Sequence, residues 1–153
     1  MEDPLLTAAA LVALHLLALL SCIVFLAGRS ALLRPELGEA RRALGPVLRR
    51  LDRVYWVALL TLGATGGLLV FLGPYGPAFY SQDILLGLMA LGWLAVVVQA
   101  VLASRRLGRL IREEPPVDEG AFSRLRSSLM AQGHIMGLVA LFGVFLAFGY
   151  GGR

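Results

Sequence analysis

Four uncharged apolar runs, each about as long as a bilayer's hydrocarbon core is thick, leave this chain few folds to choose from. They cover roughly residues 5–28, 54–72, 84–103 and 129–148, and none contains Asp, Glu, Lys or Arg. A helix needs ~20 apolar residues to cross hydrocarbon. Lipid offers no partner to an unpaired backbone group, so a run of this kind crosses as a helix that bonds internally. The sequence therefore predicts an all-α, integral membrane four-helix bundle. With 58% of its 153 residues hydrophobic, the chain has room for one domain, residues 1–153, and no second soluble unit. The first run is read as a retained span. Glu2 and Asp3 precede it where a signal peptide carries positive charge, and it is too long for a signal-peptide core.

The charges set the orientation. The formal charge is +4, and all fourteen basic residues are Arg. Seven lie in the first connection (Arg29, Arg34, Arg41, Arg42, Arg49, Arg50, Arg53) and six in the third (Arg105, Arg106, Arg109, Arg112, Arg124, Arg126). The second connection has none, and only Arg153 follows the last span. Excess Arg marks cytoplasmic loops. The expectation is a multi-pass protein of a bacterial inner membrane with N and C termini on the periplasmic side. Arginines placed beside spans read as topology signals and phospholipid contacts, so no nucleic-acid partner is expected. A reporter fused after Arg153 should report the outer side, and a cysteine introduced near Pro115 should be closed to an impermeant label added outside. The reverse labelling pattern would overturn this topology.

Between spans one and two, Leu37, Ala40, Leu44, Leu48 and Leu51 recur at three- and four-residue steps with Glu36, Glu39, Arg41 and Arg42 between them. That spacing predicts an amphipathic cytoplasmic helix after span one, over about residues 31–50, bent or interrupted at Pro46. Gly73-Pro74-Tyr75-Gly76-Pro77 reads as a tight outer turn, and Asp118 as the cap of a helix entering span four. Gly63 and Gly67 on span two, and Gly133 and Gly137 on span four, are small-xxx-small pairs that predict close helix contacts between those two spans.

Polar groups inside spans are costly, so they are where function is sought. Both histidines, His15 and His134, lie in spans, at depths read from the sequence as within ~10 Å of each other. Two histidines from two helices of a bundle are a pattern that holds haem iron, and Gly133 and Gly137 would leave space for a flat macrocycle. His15 and His134 are thus the candidate ligands of a haem b. The alternative is that each imidazole only bonds a neighbouring helix. For His15 the candidate partners are Tyr55, Thr61 and Thr65, with Thr61 best matched in depth. Gln99, Gln132, Tyr55 and His134 form a second candidate cluster near the inner face. Asp52 is expected to pair with Arg49, Arg53 or both. The single cysteine, Cys22, reads as an apolar filler. No phosphate loop, CxxC, HExxH or Ser-His-Asp set is present, and no carboxylate lies in a span. No catalytic residue is assigned, and the chain reads as an enzyme less readily than as a binding or structural protein.

Three stretches carry a resemblance: Ala13-Leu14-His15 early in span one, Leu51-Asp52-Arg53-Val54-Tyr55 entering span two, and Gly66 with Gly73-Pro74-Tyr75-Gly76-Pro77-Ala78-Phe79-Tyr80 leaving it. With these the chain resembles domain-of-unknown-function family 2214, bacterial membrane proteins of four spans. That family is distantly similar to the small membrane protoporphyrinogen oxidases and to copper-resistance D-type membrane domains. The resemblance implies a four-helix bundle and, for the oxidases, a haem near a histidine of the N-terminal span, here His15. Those families usually carry a Lys in the outer turn or early in span three, and this chain has no Lys. Two functional classes follow: a haem-binding, redox-associated membrane protein, or a non-catalytic accessory subunit packed in the bilayer against a larger complex or further copies of itself.

Overall fold

The structure, a computed structural model, describes residues 4–34, 37, 43–73, 76–80, 83–112 and 119–148, without the side chains of Pro4, Leu5 and Glu119. It is all-helical in these residues. Four long helices, α1 (Pro4–Leu32), α2 (Gly45–Leu72), α4 (Ile84–Arg112) and α5 (Glu119–Ala147), are joined on one side by the short α3 (Gly76–Tyr80). Each long helix contains a segment long and apolar enough to cross a membrane.

The inward positions repeat at three- and four-residue steps. They are Ala18, Cys22, Leu26 and Arg29 along α1, with Leu33 just beyond its end, Tyr55, Leu59, Leu62 and Thr65 on α2, Val96, Ala100, Ala103, Leu107 and Leu110 on α4, and Phe122, Leu125, Leu129, Gln132 and Met136 on α5. Such near-3.5 spacing is the one that suits helices packed at a shallow angle. Each helix buries only this stripe. Residues such as Leu17, Leu20, Val24, Val57, Leu60, Phe71 and Leu91 are exposed and face the bilayer. Packing is heaviest between α1 and α2 and between α4 and α5. Contacts of α1 with α5 and of α2 with α4 close the ring.

The helices outrun the predicted spans. A helix of 29 residues is ~43 Å long, against ~30 Å of hydrocarbon. The surplus lies mainly at the arginine-rich end, where α2 begins at Gly45 and α4 continues to Arg112. Pro46 therefore does not bend an amphipathic helix; it stands in the first turn of α2, where a missing N–H costs nothing. Leu48 is buried at the start of α2. Of the residues expected to form the amphipathic helix, Ala31 and Leu32 instead close α1 and Gly45–Arg50 open α2; residues 35–36 and 38–42 lie outside the described residues, as do Pro74, Tyr75 and Asp118. In the opposite connection Gly73 N–H bonds Leu69 O, and Gly76 adopts φ 69°, a conformation that favours glycine.

The glycine pairs do not join spans two and four. A Cβ on Gly63 would run into the Trp93 ring of α4, and one on Gly133 would touch Leu26 of α1. Gly67 and Gly137 have nothing within 4 Å. Only Gly63 and Gly133 approach a neighbouring helix, while Gly67 and Gly137 are exposed; α2 and α5 stand diagonally in the ring, so the paired faces do not meet.

Candidate functional site

Two polar layers cross the apolar core. The first lies at mid-depth between α1 and α2. His15 is on the inward stripe of α1, three residues before Ala18, and is half-buried. Its Nδ1 is 2.9 Å from Thr65 Oγ1. The Thr65 hydroxyl lies 2.7 Å from Thr61 O and 3.2 Å from Leu62 O, both carbonyls of its own helix. A hydroxyl has one proton. The shorter contact commits that proton to Thr61 O, so Thr65 Oγ1 accepts from His15, and Nδ1 carries the hydrogen. Gly66 sits beside the ring, since a Cβ there would approach His15 Cε1 to 3.2 Å.

Thr61 is not the partner of His15; it bonds back to Val57 O. The register of the antiparallel helices decides this. Gly28 faces Leu51 and Arg29 faces Asp52. Going thirteen residues back along α1 from Gly28 reaches His15, and fourteen forward along α2 from Leu51 reaches Thr65. Thr61 lies one turn, ~6 Å, short of that level.

The second layer lies toward the arginine-rich end and ties the four long helices together. Arg29 of α1 is 1% exposed. Its Nη2 is 2.7 Å from Asp52 Oδ1, and its guanidinium stands 5.0 Å from the centroid of the Tyr55 ring. Asp52 Oδ1 also accepts from Ser104 Oγ of α4 (2.9 Å), and Ser104 Oγ accepts from Trp56 Nε1 (3.0 Å). On the other side of Tyr55, Gln132 Nε2 of α5 donates to Tyr55 Oη (2.8 Å) and to Val96 O (3.0 Å). Arg29 Nε and Nη1 and Gln132 Oε1 are buried without a protein hydrogen-bond partner. A charged pair this deep is costly and marks a site by default.

This layer corrects one expectation and fulfils part of another. Asp52 pairs with Arg29 and not with Arg49 or Arg53, which are exposed. Asp52 lies three residues before Tyr55 and four after Leu48 on the buried face of α2, so it points where α1 passes. That periodicity was the available signal, and Arg29, seven residues after Cys22 on the inward stripe, completes it. The expected contact of Tyr55 with Gln132 forms. His134 is outside it: its ring is exposed, with Nδ1 2.8 Å from Met130 O of its own helix. Nor does His134 share the level of His15. Gly133 packs on Leu26, eleven residues beyond His15, which separates the two levels by ~16 Å. Among the described residues, no three His, Cys, Asp or Glu side chains gather as a metal site.

The features that organise both layers fall inside the region, residues 7–151, that matches the family model described as predicted membrane protein, domain of unknown function 2214. The chain belongs to this family. No curated protein and no solved structure matches it. In this DUF2214 protein the Leu51–Tyr55 segment supplies two members of the second layer, Asp52 and Tyr55, and Ala13-Leu14-His15 supplies His15 of the first. Tyr55→Phe should cost about 0.5–2 kcal/mol, the range for an interhelical hydrogen bond in lipid. Unfolding in a detergent titration would read it, and a melt identical to wild type would show that the Gln132 contact is energetically idle.

Proposed function

We propose that the protein is a haem-binding, redox-associated component of a bacterial inner membrane, with His15 as an axial ligand. The observation that carries this reading is the bonding of His15. With Nδ1–H donated to Thr65 Oγ1, the neutral ring leaves the Nε2 lone pair for iron. A metal-bound histidine is characteristically held by a hydrogen bond from its other nitrogen. This donor chemistry fits one axial position. His134, exposed and ~16 Å away in level, supplies no second nitrogen to it, so the reading takes open coordination or a ligand from outside the chain. A haem b bound there would supply one-electron transfer. The chain's own part is to fix the ring through Thr65 and to enclose one side of it in apolar helix. The resemblance read from the sequence, which reaches the membrane protoporphyrinogen oxidases only through the family, implies a haem near the same residue.

A second reading has its own support. The layer of Arg29, Asp52, Ser104, Trp56, Tyr55 and Gln132 spends its polar groups on contacts between helices. That is the economy of an accessory subunit, a preformed scaffold that packs against a larger membrane complex or other copies. Absorption spectra of protein expressed with ample haem separate the two. The expected result is a Soret band in wild type that is lost or shifted in His15→Ala. A band unchanged by that substitution would remove His15 from the site. A well-folded wild type with no band would favour the accessory subunit.

A further inference from the structure

The helices α1 and α5 do not close fully on each other. Between them runs a groove of about 520 Å³, within the range of small-ligand sites. Its floor is apolar, with Leu26 from α1 and Leu129, Gly133 and Gly137 from α5. The two glycines hold it open: Gly133 presents no side chain to Leu26, and Gly137 has nothing within 4 Å. At one end stand Arg34 and Arg126. Arg126 and Gly137 are eleven residues apart on α5, so the apolar floor extends ~16 Å from the arginines toward the bilayer centre.

The charge at that end is uncompensated among the described residues. Two described side chains are carboxylates, Asp52 and Asp83. Asp52 is taken by Arg29 and Ser104, and Asp83 accepts from Leu85 N–H in the connection without arginines. Arg126 Nε is buried without a hydrogen-bond partner. A cationic end joined to an apolar trough along the membrane normal matches one molecule, an anionic phospholipid lying with its phosphate at the arginines and one acyl chain against the glycines. We infer that the α1–α5 groove is a binding site for an anionic phospholipid, with Arg34 and Arg126 holding the headgroup phosphate. The site is separate from His15, and the inference stands whether or not the chain binds haem.

The test is native mass spectrometry of full-length protein in mild detergent, titrated with phosphatidylglycerol and with phosphatidylcholine. Wild type should retain phosphatidylglycerol preferentially. A basic side chain at the membrane surface is worth about fivefold in affinity for anionic lipid. The Arg34→Gln/Arg126→Gln variant should therefore lose on the order of twentyfold of that preference. Gly137→Leu keeps both arginines and fills the trough, and it should weaken retention of both lipids. A Cβ at that position meets nothing within 4 Å, so the backbone admits a side chain there, and an unchanged melt of the variant checks that the fold is kept. Inorganic phosphate should not compete. Equal retention of the two lipids by wild type, unchanged retention in Gly137→Leu, or displacement by inorganic phosphate would overturn the site.

Discussion

Asp52→Asn should cost about 3–5 kcal/mol of bundle stability, because it leaves Arg29 as a buried charge without its counter-ion. The Arg29 head group has no route to water: the side chain is 1% exposed and packed over Tyr55. Ser104, which accepts from Trp56 Nε1, also exchanges a carboxylate acceptor for a weaker amide one. The thermal melt followed by tryptophan fluorescence should therefore shift strongly. Adding Arg29→Met to Asp52→Asn should recover much of the loss, since it removes the buried charge left without a counter-ion. Arg49→Gln and Arg53→Gln are the controls. These exposed residues should cost no more than about 1 kcal/mol. If Asp52→Asn melts with the controls, the pair does not hold the bundle.

Gly63→Ala should destabilise by about 1–3 kcal/mol, the usual cost of overpacking. The new methyl would overlap the Trp93 ring, whose Cε2 would lie 2.8 Å away. Trp93 packs against the buried core, so the ring must shift or α2 and α4 must separate to admit the methyl. Gly67→Ala, one turn along, meets nothing within 4 Å. It should be neutral or slightly stabilising, since alanine is the better helix former. The contrast separates a steric contact from a general need for glycine, and equal melts for the two variants would refute the α2–α4 approach.

The family match and the span pattern agree on the membrane class, but the two polar layers give this bundle its individual character. Neither layer depends on long-range charge. Each is a set of short contacts at one level; the antiparallel register of α1 and α2 pairs His15 with Thr65 and Arg29 with Asp52, and α4 and α5 complete the second layer. This is why a single level error of one helical turn, Thr61 in place of Thr65, changes the partner of His15 altogether.

The span count, the all-α class and the inward stripes were legible in the sequence. Hydrophobic length and three-to-four periodicity are local properties, and lipid enforces them residue by residue. His15 and Asp52 could be placed on inward faces in the same way. What only the tertiary structure decided was partnership. Asp52 joins Arg29 and not its sequence neighbours, Tyr55 joins Gln132 across the diagonal of the ring, and His134 turns to its own helix. Gly63 meets Trp93 and not Gly137. Periodicity gives the direction in which a side chain leaves its own helix. The neighbour it meets depends on the order of helices around the ring and on their axial register, and those follow from the summed fit of whole faces.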